Sequence, residues 1–331
     1  MIYYVPIVSV LVTLSLIAVI LSSKFGKKIQ DIPNERSLHS APIPRIGGIG
    51  LMAGVLSGWT LMFNSLVWWL ALPLIGLFIV SLLDDMRGLP VRQRLLAHVV
   101  AAAILVGGSG LVAGQDIVIA LAAILLMVWV TNLYNFMDGS DGLAGGMALS
   151  GFTMYGIAAF TGGNSTFAML NFSIGAAALG FLYYNFPPAK VFMGDAGSIP
   201  LGFLAAAMGL WGWQQGYWAV WFPLLVFSPF GVDASVTLVR RTLRRAKITE
   251  AHREHYYQRA ILMGFGHRNT AFAEYALMLL AGMSALWGLG LDVQSQAKLL
   301  AWWCAIYSAL LMWIDRRWRL HQARQENTDV A

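Results

Sequence analysis

Val191-Phe192-Met193-Gly194-Asp195-Ala196-Gly197-Ser198 lies between two apolar stretches of membrane length, so a carboxylate, three small residues and a hydroxyl gather where lipid meets water. A helix starting here presents free amides and the positive end of its dipole to an anion. Asp195 meets the opposite need, a seat for the cation that accompanies a diphosphate. Phe192 offers a ring on which a base can stack. Two more acidic clusters, Asp84-Asp85 and Asp138 with Asp141, also fall at the ends of apolar spans.

Outward from this run, the composition leaves no room for a soluble globule. Hydrophobic residues make up 58% and charged residues 11% of 331 positions, too little polar surface to cover one. The expected fold is all-α, a polytopic transmembrane helical bundle. At ~20 apolar residues per crossing, about eleven spans fit. They fall near 3–23, 47–64, 66–83, 95–113, 117–134, 143–161, 166–184, 198–213, 217–238, 271–289 and 298–314. Residues 1–331 read as one integral-membrane domain ending in a cytoplasmic tail over 315–331.

Lys and Arg near short loops stay on the cytoplasmic side. Placing the N-terminus outside puts Lys24, Lys27, Lys28, Arg36 and Arg45 inside, then Arg87, Arg92 and Arg94, then Lys190. The basic segment after the ninth span and the arginines of the tail follow, and only Lys298 falls outside. An odd span number then puts the C-terminus in the cytoplasm, and all three acidic clusters open on that face. The net charge of +6 is thus a topology signal that also suits anionic headgroups or an anionic substrate; nothing in it points to nucleic acid. Met1-Ile2-Tyr3-Tyr4 has no basic n-region, so the first span reads as a retained anchor. The single cysteine, Cys304, lies inside the last span, which excludes a disulfide framework and a cysteine metal site.

Asp84 and Asp85 are about 100° apart on a helix and so serve different partners. Acids at a helix C-terminus oppose its dipole unless a cation offsets them. Asn132, Asn135, Asp138 and Asp141 place two amides and two carboxylates in ten residues without a Lys or Arg, a hard-oxygen cluster suited to Mg²⁺ and to the hydrogen-bonding edge of a base. The first loop, with Asp31-Ile32-Pro33-Asn34-Glu35-Arg36-Ser37-Leu38-His39 and Pro42-Ile43-Pro44-Arg45, is long for a bundle connection of about two to eight residues. Arg36, His39 and Arg45 are candidates to meet phosphate. In His252-Arg253-Glu254-His255-Tyr256-Tyr257-Gln258-Arg259 the spacing predicts a helix with His252, His255 and Arg259 on one face, toward phosphate. Zinc at the H-x-x-H pair lacks further ligands of the usual spacing. His98, inside the fourth span, reads as a hydrogen-bonded packing residue.

Polar chemistry thus collects at the interface while the spans hold almost no charge. A nucleotide-sugar or lipid-linked-sugar carrier is the rival reading, but carriers keep their acids near the midplane. The residues point instead to phosphoryl transfer, with a divalent cation on a diphosphate and an in-line nucleophile.

Taken together, Asp84-Asp85, Asn132-x-x-Asn135-x-x-Asp138-Gly-x-Asp141-Gly-Leu, Val191-Phe192-Met193-Gly194-Asp195-x-Gly197-Ser198 and His252-Arg253-x-His255 resemble the polyprenyl-phosphate N-acetylhexosamine-1-phosphate transferases, in order and over nearly the whole chain. The resemblance implies a bacterial inner-membrane enzyme, with its site on the cytoplasmic face, that moves a sugar-1-phosphate from a UDP-N-acetylhexosamine to undecaprenyl phosphate. It implies release of UMP and use of Mg²⁺ or Mn²⁺. It also implies that Asp195 binds the metal with Asn135 nearby, that Phe192 and Asp141 hold the uracil, and that Asp84 or Asp85 orients or deprotonates the acceptor phosphate. His252, Arg253 and His255 would embrace the diphosphate or sugar, while Asn132 and Asp138 occupy matching substrate-side positions. Membrane lipids are its surroundings, and a homodimer is open to it. His-Arg-Glu-His in place of a run of histidines departs from the muramoyl-pentapeptide branch and resembles the branch that starts O-antigen or related surface polysaccharides.

Overall fold

A computed structural model describes residues 2–24, 26, 28–33, 38, 41–110, 117–246 and 252–329. It has the expected all-α, multi-pass architecture. Nine helices among the described residues are long and apolar enough to cross a membrane. The strands among them are one two-residue pair, β1 (Gln30–Asp31) against β2 (Ile43–Pro44), antiparallel with Gln30 opposite Pro44. This ribbon ends the loop that follows α1 (Val5–Ser22), and Arg45 fastens it by donating from Nη2 to Asp31 Oδ1 at 2.6 Å.

The expected span over 47–64 is a shorter helix, α2 (Gly47–Thr60). Its 14 residues reach ~21 Å at 1.5 Å each. Helices α3 (Trp68–Arg87), α4 (Val91–Gly108), α5 (Ile117–Phe136), α6 (Leu143–Thr161), α7 (Ser165–Asn185) and α8 (Asp195–Gln214) fill the next six expected spans. Of these, α6, α7 and α8 are 72%, 67% and 83% buried, against 28% for α3 and α4, so the small-residue helices form the centre and the others the lipid-facing ring. Exposed Leu72, Ile79, Leu121 and Leu125 lie on that ring.

The span expected over 217–238 is broken into α9 (Trp221–Val226) and α10 (Ser228–Leu243), parting at Phe227. Pro229, in the first turn of α10, has no N–H to carry the ladder across from α9. After the basic segment come α11 (Tyr256–Ala260), a π-helical turn over Ile261–Phe265, and α12 (Gly266–Gly288). The last helix, α13 (Val293–Asp329), continues unbroken through the expected span and on into the expected tail.

Candidate functional site

The C-terminal turn of α3 meets the N-terminus of α8. Gly194 takes φ 70° and ψ 174°, and a Cβ there would sit 2.7 Å from Asp85 Oδ2, so only glycine lets the chain turn this close to the carboxylate. Asp85 Oδ1 accepts the Asp195 N–H at 3.0 Å and Oδ2 the Ala196 N–H at 2.8 Å. The anion expected at the amides of α8 is therefore one of the protein's own side chains. Asp84 points elsewhere, as the helical angle requires. Its Oδ1 accepts the Leu89 N–H at 2.5 Å and its Oδ2 accepts Arg94 Nη1 at 3.1 Å. The same nitrogen reaches Asp195 Oδ2 at 3.4 Å, so Arg94 is the cation that offsets acids at the end of α3.

The first loop and α5 close on the same place. The Gly47 and Gly48 amides donate to the carbonyls of Phe192 and Met193 at 2.9 and 2.8 Å, and the Phe192 amide donates to Pro44 at 2.8 Å. The Ser198 hydroxyl is shared between Asn135 Oδ1 and the Gly194 carbonyl, each at 3.1 Å. The cap position belongs to Gly194. Asn132, one turn back on α5, donates to the Val128 carbonyl at 2.7 Å and faces His98 of α4.

Asp138 lies between α5 and α6. Desolvation pushes its carboxyl well above the usual range, the charges of Asp195 and Asp85 add to this, and Arg45 opposes it. Asp141 Oδ2 accepts the Ala189 N–H at 3.0 Å. Asn185 bridges the Asp141 and Phe192 segments: its Oδ1 accepts the Gly142 N–H and its Nδ2 donates to the Val191 carbonyl, both at 2.8 Å. Asp141 and Phe192 thus sit on stretches pinned to one another. Arg36 and His39 of the first loop lie outside the described residues.

The histidine segment corrects an expectation. His252 through His255 are not helical, and α11 begins only at Tyr256. The reason is Asp233 of α10, which was not apparent in the sequence. Its Oδ1 accepts the Tyr256 N–H at 2.9 Å and lies 3.2 Å from His255 Nδ1, while its Oδ2 accepts the Tyr257 N–H at 3.0 Å. Gln258 completes the cap by accepting the His255 N–H at 3.2 Å. Arg259 is turned away from the histidines and pairs with Asp315 of α13 at 3.0 Å, beside Arg240 at 2.7 Å. Arg241 and Arg244 pair with Glu254. Desolvation raises the Glu254 carboxyl, but these two guanidiniums outweigh it and hold the group below its ordinary value. Desolvation, with the charges of His255 and Arg241, pushes His252 down to about 4. The His255 ring stacks on Phe136 at 6.5 Å, and the Tyr257 hydroxyl donates to the Phe136 carbonyl at 3.3 Å, which sets the segment against the Asp138 loop.

The structure therefore brings Asp84, Asp85, Asn135, Asp138 and Asp195 into one basin with Arg94 and Arg45, flanked by Phe192 with Asp141 on one side and His252 with His255 on the other. Half-buried Arg253 lies in that histidine segment. The donors suit a hard divalent cation, since Asp195, Asp138 and Asn135 offer oxygens and the mutual repulsion felt at Asp138 is what such an ion relieves. No three acidic or histidine side chains among the described residues form a complete ion site by themselves. Mg²⁺ commonly takes one or two carboxylates and completes its shell with substrate phosphate and water, so the set fits an ion that arrives with a diphosphate.

A family model, glycosyl transferase family 4, matches residues 67–212, the stretch from the start of α3 to α8 that carries every acidic cluster. The chain is 28% identical over 295 residues to a probable undecaprenyl-phosphate N-acetylglucosaminyl 1-phosphate transferase of Bacillus subtilis (strain 168), covering 82% of each chain. It is 28% identical over 303 residues to the decaprenyl-phosphate N-acetylglucosaminephosphotransferase of Mycolicibacterium smegmatis, covering 77% of this chain and 74% of that one. A phospho-N-acetylmuramoyl-pentapeptide-transferase of Staphylococcus saprophyticus is 26% identical over 322 residues, covering 87% and 99%. The family match and these relatives support the family that the sequence motifs resemble, the polyprenyl-phosphate N-acetylhexosamine-1-phosphate transferases of the glycosyl transferase family 4 type.

Proposed function

We propose that the protein transfers an N-acetylhexosamine-1-phosphate from a UDP-sugar to undecaprenyl phosphate, giving the undecaprenyl-diphosphate-sugar and UMP. An acceptor phosphate oxygen attacks the sugar-bearing phosphorus in line, and the bond from that phosphorus to the bridging oxygen breaks toward UMP. The reaction runs on the cytoplasmic face of a bacterial inner membrane, in a chain of eleven crossings with its N-terminus outside. The product starts O-antigen or a related surface polysaccharide, a reading supported by His252-Arg253-Glu254-His255 where the muramoyl branch has consecutive histidines.

One observation carries the proposal: Asp85 clasps both leading amides of α8 and so fixes Asp195 on Arg94, which also holds Asp84, with Asn135 on Ser198 one turn along the helix. Asp195, with Asn135 and Asp138, would hold Mg²⁺ or Mn²⁺. When bound, the ion supplies charge neutralisation on the diphosphate. Arg94 and Arg45 steady the acceptor phosphate. With both its oxygens committed to α8, Asp85 acts by positioning, and Asp84, whose oxygens take the Leu89 amide and Arg94, orients the acceptor through that guanidinium. Phe192 stacks on the uracil, Asp141 meets its edge, and His252, Arg253 and His255 close over the diphosphate and sugar.

The test is the purified protein in detergent with a panel of UDP-sugars, undecaprenyl phosphate and Mg²⁺. UMP release that requires the lipid acceptor is the expected result. No release with any donor, together with donor uptake into proteoliposomes, would replace the transferase with a carrier.

A further inference from the structure

His267, at the start of α12, makes three contacts that no sequence motif singled out. Its Nε2 lies 3.2 Å from the carbonyl of Leu38 in the loop between α1 and α2. Its Nδ1 lies 3.0 Å from the Ser140 hydroxyl and 3.7 Å from Asp141 Oδ1. A carbonyl can only accept, so Nε2 carries a proton toward Leu38, and Nδ1 is left to pair with the Ser140 hydroxyl, which can donate or accept. The ring is half-buried, packed where three segments distant in sequence meet. Tyr275, two turns further along α12, repeats the arrangement by donating to the Gly142 carbonyl at 2.8 Å. One face of α12 thus holds both ends of the Ser140-Asp141-Gly142 turn.

We propose that His267 is a positioning residue of the donor site: it holds the Ser140-Asp141 turn in place for the nucleotide's base and is itself anchored by the Leu38 carbonyl. The inference rests on Asp141 meeting the uracil, as proposed above. It assigns His267 no contact with the reacting phosphates, so its loss should appear in donor affinity and leave the chemical step nearly intact.

The test uses the full-length protein in detergent and three substitutions. An Asn side chain ends close to the place of Nδ1, and a Gln side chain close to the place of Nε2. His267→Asn therefore keeps a partner for Ser140, while His267→Gln keeps only the Leu38 contact. His267→Ala should raise the donor KM about tenfold, equivalent to ~1.4 kcal/mol, with kcat and the acceptor KM changed less than about threefold. Calorimetric binding of UMP without acceptor should weaken by the same factor, a readout that needs no turnover. His267→Asn should recover most of that affinity and His267→Gln little. Unchanged UMP affinity in His267→Ala, or a fall in kcat with the donor KM intact, would overturn the inference while leaving the transferase reading standing. Absence of acceptor-dependent UMP release from the unmutated protein would instead remove that reading.

Discussion

Replacing Asp85 by Asn should cost most of the activity although both its oxygens are turned to the α8 amides. The carboxylate accepts two amide donors, from Asp195 at 3.0 Å and Ala196 at 2.8 Å. An Asn carboxamide keeps one acceptor and turns an NH₂ toward the other donor, and it removes the negative charge at the positive end of the α8 dipole. A hydrogen bond to a charged group contributes ~1.5–3 kcal/mol. The dipole term adds ~0.3–1 kcal/mol, and up to ~2 where partly buried. Together about 2–4 kcal/mol of positioning at Asp195 is lost, which is roughly 30- to 1,000-fold in rate if all of it falls on the transition state. The assay is acceptor-dependent UMP release at saturating donor and metal, with thermal unfolding as the check on folding. Asp85→Ala should be slower still, and added formate should partly restore it by occupying the two amides left bare. An Asp85→Asn enzyme within threefold of the unmutated rate would refute the positioning role.

Asp138 is held protonated to higher pH in the folded protein than in the unfolded chain, so the stability it contributes is full at low pH and lost as pH rises through the shifted value. In EDTA, Asp138→Asn should flatten that fall in Tm with rising pH, and an unchanged profile would count against the shift. His252 carries the opposite sign: with its pKa down at about 4, the unfolded chain takes up the proton first and stability falls as pH drops below the ordinary histidine range. His252→Gln should remove this acid-side loss in a Tm scan, without making the protein less stable at neutral pH. Gly194→Ala should leave the membrane-inserted fold but abolish UMP release, because the φ of 70° and the Asp85 contact both exclude a side chain; normal turnover would contradict the clasp.

The fold was largely legible because membrane length and apolar runs are local signals. So were the acidic clusters, which stand out where charge is scarce. The partners of those clusters were not. Asp85 and Asp195 are 110 positions apart, and nothing in either stretch says that one caps the other. Arg94 read as one more topology charge, and Asp233, Asn185 and His267 are single polar residues without a pattern around them. The histidine spacing gave a helical face, yet a buried carboxylate from α10 starts the helix after the histidines, a tertiary contact overriding a local period. The span over 217–238 breaks at Phe227, ahead of a proline whose effect depends on where the helix must turn.

The central claim is that separated helix ends converge on one metal-bound diphosphate, and the most direct measurement is electron–nuclear double resonance with Mn²⁺ and a UDP-sugar bound to the protein. The account expects strong ³¹P coupling from the donor that disappears in Asp195→Asn while that variant stays folded. Mn²⁺ that binds without donor phosphorus in its shell, or coupling unaltered by Asp195→Asn, would contradict it.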